Sequence, residues 1–107
     1  MATLTELNEA IIAYDNLWPL LEGDERDVIL EKRNELNDQA SELATKILRD
    51  GVPELNEVID KLNLATQAAK EAKDSIDNKV KRIIKVANAI EKGTSAIGKI
   101  AKVIAMV

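Results

Sequence analysis

A chain of 107 residues with a formal net charge of −4 has room for one modest core, burying roughly two-thirds of the surface that its unfolded form exposes. Cysteine, histidine and phenylalanine are absent and the only aromatics are Tyr14 and Trp18. This excludes disulfides, thiolate or imidazole metal sites and histidine-based catalytic arrangements. The wealth of Ala, Leu, Ile, Val, Glu and Lys favours helices over sheets, and no apolar run approaches the ~20 residues of a membrane-spanning helix.

Taken in order, Thr3, Leu4, Thr5 and Glu6 read as a capping box, with Thr3 as the cap and Glu6 reaching back. Leu4, Leu7, Ile11, Tyr14, Trp18 and Leu21 then recur in steps of three and four, which predicts a first helix over 4–22 with one narrow apolar seam. Pro19 removes a backbone donor and is expected to kink that helix or tighten its last turn. Residues 1–10 carry neither a basic nor an apolar signal-peptide region, which points to the cytoplasm and leaves open a signal-independent route of export.

Gly23 suits the left-handed conformation that follows a helix, and Asp24 can cap the next one. Ile29, Leu36, Ala40, Leu43 and Ile47 mark the apolar face of a second helix over 24–50. Arg33, between Ile29 and Leu36, is expected to reach outward along the seam edge. Glu31, Glu35, Asp38 and Glu42 share another face of that helix. A carboxylate metal site is one reading; a solvated stripe balanced by Lys32, Arg33 and Lys46 is the better one, since carboxylate sites in bundles usually recruit histidine as well. Asp24, Glu25 and Asp27 are read as acids that favour a helix start, not as a cation loop.

Gly51 and Pro53 predict a short antiparallel turn. From Leu55 one apolar residue then recurs every seventh position through Leu62, Ala69, Ile76, Ile83, Ile90 and Ile97 to Ile104. Three residues after each, only Lys79 and Gly93 interrupt a companion series that ends at Ile100 and Val107. Such a ladder means helix laid against helix. Its unbroken phase predicts a third helix over 53–92, near 60 Å long at 1.5 Å per residue. Gly93, Thr94 and Ser95 then predict a stop and a short fourth helix over 94–106. An alternative parse breaks the third helix at 74–78, where Asp74, Ser75, Asp77 and Asn78 offer caps, and gives four similar helices in a compact bundle; persistence of the ladder favours continuity.

The expected architecture is therefore all-α: a single domain, 1–107, forming an elongated antiparallel bundle, a coiled-coil-like hairpin of three long helices plus a short C-terminal one. Tyr14 and Trp18 are expected to cover the small seam residues Ala65, Ala69 and Ala72. On these lengths, 80–107 overhangs its neighbours and folds back as a hairpin with an uncovered apolar face, a mark of an interface. The expected association residues are Ile83, Val86, Ile90, Ile97, Ile100, Ile104 and Val107, with Lys79, Lys81, Arg82, Lys85, Lys99 and Lys102 as a basic flank.

Charge is unevenly divided. Residues 1–72 hold 7 basic and 16 acidic side chains, a net of −9, and residues 73–107 hold 8 and 3, a net of +5. Such polarity predicts either that the two parts attract each other or that the basic end meets an acidic surface. Nucleic acid is disfavoured, because the basic cluster lacks aromatics that stack on bases. The serines have no histidine to activate them and there is no phosphate loop, so the expectation is a non-enzymatic module without catalytic residues, cofactor, metal or small-molecule substrate. It is expected to act by protein association, most simply as a homo-oligomer. The alternative is a membrane-active protein, peripheral or pore-forming, whose C-terminal amphipathic helix lays Ile97, Ile100, Ile104 and Val107 on an anionic bilayer beside Lys99 and Lys102.

Overall fold

The computed structural model describes residues 2–46 and 54–106, and within them the protein is all helical, with no strand. Helix α1 spans Ala2–Leu17, α2 Gly23–Lys46, α3 Glu54–Asp74 and α4 Lys79–Met106. The protein measures 45 × 19 × 18 Å, so α4 runs nearly the whole length of the bundle and α1, of 16 residues, about half of it. The turn expected at Gly51 and Pro53 lies outside the described residues, as does Ile47.

Local chemistry sets these boundaries. Helix α1 begins at Ala2, which puts Thr3 inside its first turn, where it is buried, and the expected capping box is not the arrangement adopted. Pro19 does tighten the end of the first helix: Trp18–Leu20 form a 3-10 turn, closed by the Leu21 amide donating to the Trp18 carbonyl at 3.1 Å. Gly23 takes φ +59°, yet a Cβ there would meet nothing within 4 Å. Backbone conformation, not crowding, calls for glycine at that turn.

The long third helix does not exist. Residues 75–78 form a turn instead. The Ser75 amide donates to the Ala72 carbonyl at 3.1 Å and the Ile76 amide to that of Lys73 at 3.3 Å, while Ser75 Oγ donates to the Glu71 carbonyl at 2.9 Å. Asn78 then caps α4, its Oδ1 accepting from the Lys81 amide at 3.1 Å, an N-cap bond to the third helical residue. Nor does Gly93 stop a helix, for α4 runs unbroken through it over 28 residues, about 42 Å. No overhang remains once the chain turns at 75–78.

Cross-helix contacts give the directions. Asp15 meets Arg33 and Trp18 meets Arg26, so α1 and α2 are antiparallel. Glu57 meets Lys99 and Glu71 meets Lys85, so α3 and α4 are antiparallel as well. Glu25 with Arg82 and Gln39 with Ile97 keep nearly constant separation in sequence, so α2 and α4 run parallel. The neighbours are α1 with α2, α2 with α4, α4 with α3 and α3 with α1. Two helical hairpins thus lie side by side, with α1 and α4 at opposite corners, as are α2 and α3.

The core is aliphatic apart from Tyr14, which is fully buried with Leu7, Leu17, Ile29, Leu36, Leu62 and Ile100. Tyr14 reaches across the diagonal to α4, where its hydroxyl donates to the Ala89 carbonyl at 2.5 Å. Burial raises its phenol above the ordinary pKa, which keeps the proton in place for that bond. A Cβ on Gly93 would stand 2.7 Å from Tyr14 Oη and 3.2 Å from Cζ. Gly93 is therefore the seat of the ring, and Ala65, Ala69 and Ala72 of α3 are fully buried in the same core. Trp18 stays half-buried at the rim, donating to Asp15 Oδ1 at 2.9 Å, with the Arg26 guanidinium 5.2 Å from the ring centroid.

Three buried polar atoms have no hydrogen-bond partner among the described residues: Gln39 Oε1, Thr66 Oγ1 and Arg82 Nε, the last meeting Glu25 Oε1 only as an ion pair at 3.2 Å. Gln39 Nε2 donates to the Ile97 carbonyl at 2.8 Å. An unmade hydrogen bond in the interior opposes folding. Thr66→Val keeps the shape and removes the hydroxyl, and is expected to raise stability by about 1 kcal/mol. Urea denaturation measures it; a lower midpoint at unchanged slope would contradict the assignment.

Candidate association surface

The seven association residues expected from the sequence part company in the fold. Val86 is 1% exposed and Ile100 0%; both belong to the interior. Ile90, Ile97 and Ile104 pack partly buried against that core. Only Ile83 is substantially open, at 50%, and Val107 lies outside the described residues. The reason is geometric: in α4 the inward stripe is Val86, Ala89, Gly93, Ala96, Ile100 and Val103, which leaves the ladder of Ile90, Ile97 and Ile104 on its flank. Of the bilayer face drawn through Ile97, Ile100 and Ile104, Ile100 is turned inward and Ile97 and Ile104 lie partly buried on the flank.

The basic flank is likewise divided. Three of its side chains bind the acidic part of the same chain. Arg82 Nε lies 3.2 Å from Glu25 Oε1, Lys85 Nζ 3.2 Å from Glu71 Oε1, and Lys99 Nζ 2.9 Å from Glu57 Oε2. With Arg33 and Asp15 at 3.2 Å between α1 and α2, these pairs tie hairpin to hairpin and helix to helix. The hydrogen bond from Lys99, then its charge, and more weakly the charges of Lys61 and Lys102, hold the Glu57 carboxyl below its ordinary pKa. Its contribution to stability is therefore present above the ordinary carboxylate pKa and is lost as pH falls through the lowered value. Glu57 is solvated, so the effect is small. Lys79 and Lys81 form no ion pair among the described residues.

What the fold leaves open is a different face of α4. Val80 is 69% exposed, Ile84 61% and Ile83 50%, on its first two turns, and Ala87 beside them is exposed as well. Spacings of three, four and seven gather all four on one side of a helix. Lys79 and Lys81 stand at its start. Val80, Ile84 and Ala87 were not among the expected association residues; the signal for them is a second three-four alternation, out of phase with the ladder. Among the other apolar residues of α4 outside the ladder, Met106 is exposed and Val103 is buried.

Elsewhere the surface is less pointed. An open groove of about 450 Å³ between α1 and α3 is lined by Ile12, Ala13, Lys70 and Lys73, among others. The acids of α2 remain a stripe in which Glu35 meets Lys32 at 3.7 Å, and among the described residues no three potential metal ligands converge. No helix among the described residues is long and apolar enough to cross a membrane. Comparison with family models, with curated proteins and with solved structures found no match.

Proposed function

We propose that this chain is a non-enzymatic protein-association module that binds through the exposed first turns of α4. The observation that carries the reading is the contiguous opening of Val80, Ile83 and Ile84 to solvent at 69%, 50% and 61%. Isolated surface aliphatics need no explanation, but a cluster of β-branched residues on successive turns marks a contact surface. An amphipathic helix offers its anchors at such spacings when it meets another helix or a groove. Lys79 and Lys81 supply a polar, cationic rim of the kind that sets orientation and encounter rate more than affinity. The absence of histidine and cysteine removes the side chains most used for acid-base and nucleophilic chemistry.

The test is a variant that alters this face and nothing under it. Ile83→Asp/Ile84→Asp is expected to keep its helical circular dichroism and lose protein partners that the wild type captures, its own copies included. Equal capture by both proteins would remove the surface from consideration. Flotation with phosphatidylserine vesicles separates the lipid alternative: binding that requires anionic lipid and disappears in this variant would replace the protein reading with a membrane one.

A further inference from the structure

Gly93 and Gly98 stand five residues apart on α4, and the chain's own packing accounts for only one of them. Gly93 makes room for the Tyr14 ring, whereas a Cβ at Gly98 would meet nothing within 4 Å. Glycine weakens a helix interior, so Gly98 opposes the helix without serving its bundle. It belongs to an outward seam: Val80, Ile84 and Ala87 in the first half of α4, Gly98, Ala101 and Ala105 in the second, with Glu91 and Thr94 between, all exposed. Steps along this seam alternate four and three, as in helix packing. The order of steps is the same from either end.

Building on the association reading above, we propose that this outer seam is the interface of a homodimer in which α4 packs antiparallel against the α4 of a second copy. The two-fold axis passes between Lys92 and Gly93, which is also the midpoint of α4, so the two helices overlap over their whole length. Val80 then faces Ala105 of the partner subunit, Ile84 faces the partner's Ala101, and Ala87 faces the partner's Gly98. Large side chains from one end meet small ones from the other, as close packing of two helices requires.

The helix dipoles point the same way. Lys79 and Lys81, unpaired among the described residues, come beside the last carbonyls of the partner's α4, the negative end of its dipole. Glu91 faces the partner's Thr94. A parallel arrangement would set Val80 on Val80, leave Gly98 facing Gly98 across a gap, and oppose Glu91 to Glu91. The antiparallel pairing is self-complementary in size, the condition for an isologous contact.

Cysteine cross-linking of the full-length protein tests this directly, because no native thiol interferes. In the double variant Ala87→Cys/Gly98→Cys the two thiols lie about 16 Å apart along one helix, too far for an internal bridge. Mild oxidation is expected to give a covalent dimer from the double variant, and monomer from Ala87→Cys alone. By sedimentation equilibrium the wild type is expected to dimerise across the micromolar range. Gly98→Leu, which favours the helix but fills the seat of Ala87, should weaken dimerisation by about tenfold or more with helical circular dichroism retained. A wild type that stays monomeric throughout that range overturns the dimer, while the association reading still stands or falls on the Ile83→Asp/Ile84→Asp capture experiment. A dimer cross-linked by Ala87→Cys alone overturns the antiparallel arrangement.

Discussion

Replacing Tyr14 with alanine is expected to destabilise the protein by about 3–5 kcal/mol, the usual range for removing a large buried aromatic. Three losses combine. The ring is fully buried, so its removal forfeits the transfer free energy of an aromatic side chain and opens a cavity. The hydrogen bond to the Ala89 carbonyl, made across 75 residues of sequence, is lost with it. Collapse around the void is hindered, because Gly93 and Ala89, the residues beneath the ring, have no side-chain length with which to fill it. Tyr14→Phe keeps the packing and loses only the hydroxyl, so it should cost about 1 kcal/mol. Guanidinium denaturation of the two variants separates packing from hydrogen bonding; a Tyr14→Ala penalty below that of Tyr14→Phe would contradict the core described here.

An even larger effect is expected for Ile100→Asp. Its side chain is fully buried in the inward stripe of α4, and an unpaired carboxylate there must either remain ionised in an apolar interior or take up a proton. Either course opposes folding, by about 5 kcal/mol or more once the lost aliphatic packing is included, which equals the whole stability of many small domains. The variant should be largely unfolded at neutral pH and partly recovered as acid protonates the new carboxyl. Ile84→Asp, on the opposite face of the same helix, should stay within about 0.5 kcal/mol of wild type. Thermal melts of the pair decide the matter: a folded Ile100→Asp protein would return that residue to the surface.

These two variants also measure how far the sequence could be read. Helical character, the tightened turn at Pro19 and the left-handed Gly23 all followed from short-range chemistry, which depends on neighbours in the chain. The turn at 75–78 was visible in its caps, yet the heptad ladder passed through it in phase and suggested a continuous rod. Phase survived because Ile76, in the turn, still packs against the core. Lys79, one of two interruptions of the ladder, is the first residue of α4. The other interruption, Gly93, has no local explanation; its partner is 79 positions earlier, and no periodicity within α4 encodes it. A continuous rod carries the expected association residues onto the flank and inner face of α4, whereas the break at 75–78 leaves its outer face open.

A bundle of aliphatic stripes has a persistent ambiguity, for one hairpin can slide along the other by a heptad and still match oil with oil. Gly93 removes that freedom. Seven residues to either side, the same stripe carries Val86 and Ile100, both buried and of full size, so a slipped alignment would drive the Tyr14 ring into a branched side chain. A single missing side chain thereby acts as a notch for a single ring, and gives an otherwise repetitive interior one vertical alignment.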